Sequence, residues 1–221
     1  TLVTNYNYIN HLIAVEDKYV GSRPAENKVN STLHKIRTEH VILSNGHIER
    51  FLSFRNNDLP GIMLASSFEK YICRFGTLPS KEPVIFSNNS NSNSLVYSLI
   101  NLGYKPKAYI DSRSGENIES ELFDLIRKHD IPLYTNSQVK EAYGNKIIEK
   151  ILVEDSAGGL SEIKCDFLCV SGGINPDVHL FTQSKGLLDW DEKELTYKPF
   201  KPFQPTITLG SASGQFNFKN V

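Results

Sequence analysis

Residues 83–103 read Pro-Val-Ile-Phe-Ser-Asn-Asn-Ser-Asn-Ser-Asn-Ser-Leu-Val-Tyr-Ser-Leu-Ile-Asn-Leu-Gly, and this stretch decides the fold. Val84-Ile85-Phe86 is a short apolar run bounded by Pro83 and Ser87, the pattern of a buried strand. Residues 87–94 are only Ser and Asn and read as a loop. Leu95, Val96, Leu99, Ile100 and Leu102 then recur at helical spacing, and Gly103 stops the helix. Ala108-Tyr109-Ile110-Asp111 is a second strand, so the unit is β-α-β.

Outward from this unit the alternation continues. A helix carrying Ile118, Leu122, Leu125 and Ile126 leads to a strand at Ile131-Pro132-Leu133-Tyr134. Residues 147–153 and 163–170 read as an antiparallel excursion, turning at Gly158-Gly159 and returning to a core strand. Upstream, Phe68, Tyr71, Ile72 and Phe75 share one face of a predicted helix that Gly76 caps. Strands are expected at residues 11–16, around Leu33 and Ile36, at Val41-Ile42-Leu43 and at residues 206–209. The Pro- and Phe-rich stretch Lys198 to Pro205 reads as a linker. The class is α/β, with residues 76–175 inserted as a Rossmann-like domain into a first dinucleotide-type domain formed by 1–75 and 176–221. Thr1 to Gly46 and Thr206 to Gly214 are expected in one sheet.

The β-α-β unit has the geometry of a dinucleotide site without its residues. The three glycine positions of a phosphate-cradling loop fall at Ser87, Asn89 and Ser92, where side chains would crowd a pyrophosphate. Asp111 does end the second strand, where an acid holds a ribose hydroxyl. The readings are a live NAD site, a Rossmann-like scaffold or, since only Ser and Asn fill the loop, a linker; the glycine logic favours the scaffold. Three strand ends finish in small residues: Ser44-Asn45-Gly46, Ser171-Gly172-Gly173 and Gly210-Ser211-Ala212-Ser213-Gly214. Each alone reads as a turn; together they point to a ligand at the carboxyl edge of a sheet. His179 lacks a paired nucleophile and reads as structural, Glu49-Arg50 as an ion pair, and Trp190 as a packing anchor beside an acidic turn.

Composition excludes several classes. The 221 residues carry 25 acidic and 24 basic side chains, so the net charge of -1 offers no basic face for nucleic acid. Cys73, Cys165 and Cys169 form neither a CxxC pair nor a metal-ligand set and read as reduced, mostly buried thiols in a cytosolic protein. No apolar run approaches a membrane span of about 18 residues. The missing initiator methionine, and a strand-like start at Thr1, give the expectation of an internal fragment.

Several segments resemble sarcosine oxidase alpha subunits of the heterotetrameric type. Residues 41–52 resemble their "VVLATGAIERPL", residues 57–66 "NDRPGVMLAS", and residues 84–89 "VVFTNN", glycine-poor in that family also. Val170-Ser171-Gly172-Gly173-Ile174-Asn175-Pro176, then His179-Leu180-Phe181, Gln183-Ser184 and Trp190-Asp191-Glu192, resemble "VSGGWNPxVHLFSQS...WDE". The departures are Ser-Asn-Gly at 44–46 for Ala-Thr-Gly, and Phe51 for proline.

The resemblance implies a pyridine nucleotide-disulfide reductase-like flavoprotein fold with an incomplete first domain. It implies part of a cytoplasmic oxidoreductase that oxidises sarcosine to glycine and yields hydrogen peroxide. FAD sits on a beta subunit, FMN lies near the alpha–beta interface, and NAD occupies the first dinucleotide domain of alpha. Tetrahydrofolate is handled by a further domain, and gamma and delta subunits are further partners. Carried over by motif, the NAD-contacting positions are Val3, Ser211, Phe216 and Phe218, with Ser44, Asn45 and Gly46 lining the same edge. No catalytic or metal-binding residue is expected, and the chain alone is expected to be inactive. Rival readings are another oxidoreductase of the disulfide-reductase or opine and amine oxidase groups, or a non-catalytic docking module.

Overall fold

The computed structural model describes residues 2–7, 11–17 and 31–216. The chain divides into two compact units, one formed by Thr1–Ile48 with Asn175–Val221, the other by Glu49–Ile174.

The second unit is built on the β-α-β stretch. Its elements are β1 (Ile62–Leu64), α1 (Ala65–Phe75), β2 (Val84–Ser87), α2 (Asn93–Asn101), β3 (Ala108–Asp111), α3 (Ser120–Lys128), β4 (Leu133–Tyr134), β5 (Ser137–Tyr143), β6 (Lys150–Asp155), β7 (Leu160–Lys164) and β8 (Leu168–Ser171). Five strands form a parallel sheet in the order β1-β8-β2-β3-β4, and β5, β6 and β7 form an antiparallel meander. Successive side chains of a strand face opposite ways, and the core follows that alternation. Ile85, Tyr109 and Cys169 pack with Phe68, Leu95, Leu99, Leu122 and Ile126 of the helices. Val84, Phe86, Ile110, Leu168 and Val170 pack instead against Val139, Ala142, Ile151, Val153 and Ile163 of the meander. A parallel sheet requires apolar cover on both faces, which the two layers supply.

α1 ends as its sequence predicts. Gly76 takes a left-handed φ of 60°, and its amide and that of Thr77 donate to Ile72 O and Tyr71 O. Residues 49–75, grouped by sequence with the outer part, pack inside this second unit. The reason is pairing and burial: Ile62 and Leu64 are in register with Leu168 and Val170, and the Phe68 and Phe167 rings meet edge-on at 5.1 Å.

In the first unit, Val41–Leu43 and Thr206–Thr208 pair in parallel, bringing together the two regions expected to share a sheet. The earlier strands do not join them. Leu2–Asn7, His11–Asp17 and Ser31–Arg37 make their own antiparallel three-stranded sheet, a local ladder that needs no long-range partner. The expected linker after Lys198 is also corrected: Thr196–Lys201 is a strand in a hairpin with Leu187–Asp191. Pro199 fits there because both strands of a two-stranded hairpin are edges. Trp190 meets Tyr197 edge-on at 5.0 Å, and Lys198 pairs with Asp191 at 2.6 Å. The small core of this unit holds Val41, Leu43 and Phe181, with Leu12, Leu180 and Leu188 against it. Among the described residues, no helix is long and apolar enough to cross a membrane.

Candidate functional site

The loop between β2 and α2 is folded around its own side chains. Ser87 Oγ donates to Asn89 O at 2.8 Å and accepts from Asn89 N at 3.2 Å. Asn89 Nδ2 donates to Ser171 O at 2.9 Å, and Asn89 Oδ1 accepts from Asn91 N at 2.8 Å. The Ser92 and Tyr109 hydroxyls meet at 2.8 Å in the interior, where burial pushes the Tyr109 phenol up from its ordinary range. Asp111 is fully buried at the end of β3. Its Oδ1 accepts from Arg113 Nε at 3.0 Å and from Arg113 N at 2.9 Å, and its Oδ2 accepts from Arg113 Nη2 at 2.8 Å. The hydrogen bonds to Asp111 hold the Arg113 guanidinium above its ordinary range, that is, charged. The groups that a pyrophosphate and a ribose would need are therefore engaged within the chain. This donor set does not fit a dinucleotide.

The carboxyl edge of the parallel pair in the first unit differs. Leu209 N donates to Leu43 O at 2.9 Å, so both strands end level with each other. Ser44 and Asn45 are exposed beyond that end. Gly46 has φ +89°, and a Cβ built there would meet nothing within 4 Å, so the space above the turn is open. Asn45 Nδ2 donates to Asp177 O at 2.7 Å, and Asp177 N donates to Gly46 O at 3.1 Å, which fixes the turn. Ser211 lies in the 3-10 turn Gly210–Ser213 and is only 8% exposed. His47 Nδ1 lies 3.0 Å from Ser211 Oγ across 164 positions of sequence.

Of the seven residues predicted to line a cofactor, Ser44, Asn45, Gly46 and Ser211 come together at this edge. Phe216 is half-buried, with Lys198 Nζ 5.7 Å from its ring centroid. Val3 lies in the separate three-stranded sheet, paired with Ala14, and Phe218 is outside the described residues. Of the three small-residue strand ends, two form this edge; Ser171 closes β8 in the second unit, where its carbonyl holds Asn89. Sequence reasoning passed over His47. Its one signal was position: a titratable side chain directly after a strand-ending Gly, where the family motif has alanine.

The remaining sequence candidates lie elsewhere. Glu49 Oε2 accepts from Ser66 N at 3.0 Å, which caps α1. Arg50 N donates to Gly173 O at 2.7 Å. His179 is exposed at the start of a short helix, its amide donating to Asp177 Oδ1 at 3.3 Å. Burial pushes the Cys165 thiol up to about 12 and the Cys169 thiol well above its ordinary range, so neither is a reactive thiolate. Among the described residues, no cluster of His, Cys, Asp or Glu could hold a metal ion.

The mixed α/β fold, with its parallel sheet and antiparallel meander, is similar to that of solved disulfide reductases. Thioredoxin reductase from T. acidophilum superposes with a TM-score of 0.63 at 17% identity, over 85% of this chain and 62% of that one. A FAD-dependent pyridine nucleotide-disulphide oxidoreductase from Desulfovibrio vulgaris gives 0.64 at 11% identity, over 95% of this chain and 52% of that one.

By sequence the chain is related to sarcosine oxidase alpha subunits. The subunit from Corynebacterium sp. (strain U-96) is 33% identical over 186 residues, covering 81% of this chain and 19% of the relative. The chain thus spans about a fifth of the length of the curated relatives it matches. No family model matches the sequence.

Proposed function

We propose that this chain forms the dinucleotide-domain region of a sarcosine oxidase-like oxidoreductase alpha subunit, holding NAD at the carboxyl edge of its first unit. The observation that carries this reading is the parallel pairing of Val41–Leu43 with Thr206–Thr208, which sets Ser44, Asn45 and Gly46 beside Ser211 under open space. Small residues at adjacent parallel strand ends admit a ligand close to the backbone. The exposed Ser44, Asn45 and His47 side chains are suitable partners for phosphate and ribose oxygens. Bound there, NAD supplies a nicotinamide hydride acceptor; this chain contributes binding and orientation.

The second unit acts as scaffold in this reading, because its own side chains occupy the β2–α2 loop and Arg113 occupies Asp111. Titrating NAD into the 15N-labelled chain should shift the amides of Ser44, Asn45, Gly46 and Ser211. Those of Ser87 to Ser92 should stay fixed. Shifts confined to the second loop would overturn the assignment of both units.

In this reading amine oxidation and FAD belong to a beta subunit, FMN to the alpha–beta interface and tetrahydrofolate to a further domain, with the assembly in the cytoplasm. The relatives' name, an alpha subunit of sarcosine oxidase, supports a multi-subunit assembly, and the three free cysteines support a reducing compartment. The chain alone should therefore produce no peroxide from sarcosine. A peroxidase-coupled assay above the no-enzyme rate would contradict that division of labour.

A further inference from the structure

We propose that His47 is a positioning residue of the cofactor edge: paired with Ser211, it presents a fixed hydrogen-bond donor to a phosphate or ribose oxygen of the bound dinucleotide. The inference rests on the NAD reading of the first unit and adds a residue to it.

The geometry is a pair with one buried and one open member. Ser211 is nearly buried in its 3-10 turn, whereas the His47 ring is exposed beside the open space above Gly46. Nδ1 and Oγ, at 3.0 Å, share one proton between them. If the serine hydroxyl donates to Nδ1, the neutral ring carries its proton on Nε2, which becomes an outward donor. That arrangement leaves Nε2 unspent on the exposed ring, and an acceptor-rich ligand group satisfies it. The same bond ties the turn after Leu43 to the turn after Leu209. Removing the ring would therefore loosen the Ser211 rotamer as well as delete a donor.

The predicted signature is non-additivity. Isothermal titration of NAD into the chain should show His47→Ala weakening binding roughly tenfold, as for a lost hydrogen bond to a charged group. Ser211→Ala should do about the same, and the double variant should be little worse than either alone. His47→Asn keeps an amide near the Nδ1 position and should recover part of the affinity. A merely structural role would lower the thermal midpoint of His47→Ala without producing this coupling. NAD binding within about twofold of the parent for His47→Ala, or single effects that add in full, would overturn the proposal and leave the cofactor edge standing. An unmodified chain that binds no NAD would overturn the cofactor reading itself, and this inference with it.

Discussion

Replacing Arg113 with alanine should destabilise the second unit by about 3 kcal/mol or more, the usual cost of stripping one partner from a buried ion pair. Asp111 is fully buried, and Arg113 is its cationic partner through two side-chain hydrogen bonds and one backbone bond. Without the guanidinium, a carboxylate would sit uncompensated at the end of a central strand. The Arg113 stem is partly exposed, which tempers the loss but cannot solvate the carboxylate. On the arginine side the pair has a clear pH sense. A base held above its ordinary range contributes stability below its unfolded pKa and loses it only as pH rises through the folded value, here in strong alkali. The effect of Arg113→Ala should therefore be undiminished at neutral pH. Urea unfolding of the variant tests this; a loss below about 1 kcal/mol would show that the pair is not what keeps Asp111 buried. A double replacement, Asp111→Asn with Arg113→Met, should recover much of the loss, because it removes the charge along with its partner.

The pair also shows why the second unit was legible in sequence while its chemistry was only half so. The strand–loop–helix period at 83–103 gave the β-α-β geometry, since hydrophobic spacing depends on which residues must face a core. The absence of glycine at Ser87, Asn89 and Ser92 signalled that a phosphate cradle was unsuitable. Nothing local said that Arg113, two positions beyond Asp111, would fold back and claim the carboxylate that could otherwise hold a ribose. The first strand of the meander was harder to read, because its buried face begins at Ser137 and a bulge between Val139 and Glu141 breaks the alternation. Residues 49–75 were grouped with the outer unit because β1 is three residues long and its parallel partner β8 lies more than a hundred positions away. Lys198–Pro205 looked like a linker because prolines forbid a central strand but not an edge. At the candidate site, Ser44–Gly46 and Ser211 were legible as small-residue strand ends and again through motif resemblance; His47 needed the fold, since its partner is distant in sequence.

The contrast between the units carries the second large expected effect. In native-state hydrogen exchange, Val41 to Leu43 should exchange on the order of 10²-fold faster than Val84 to Phe86. Val84–Ser87 has a strand on each side, two covering layers, and side chains 0–4% exposed at Val84, Ile85 and Phe86. Opening it means breaching the central core of its unit. Among the described residues, Val41–Leu43 has one parallel neighbour, Thr206–Thr208, and one covered face, where Val41, Leu43 and Thr206 turn inward. On the other face Ile42 and Ile207, in register with each other, remain 63% and 53% exposed, with Leu209 just beyond. Parallel strands are ordinarily buried on both faces, so this pair gains about half the apolar stabilisation of its counterpart while bearing the same backbone entropy cost. Each residue of Val41–Leu43 also closes a loop of over 160 positions to meet its partner, which penalises local reclosing after each opening. Equal or greater protection at Val41–Leu43 would mean that the outward Ile42–Ile207 face is covered in solution, and the half-buried account of this edge would fall. If the expected order holds, ligand binding at Ser44–Gly46 and Ser211 should slow exchange at Val41–Leu43 selectively. A ligand that binds only the closed pair stabilises it by mass action.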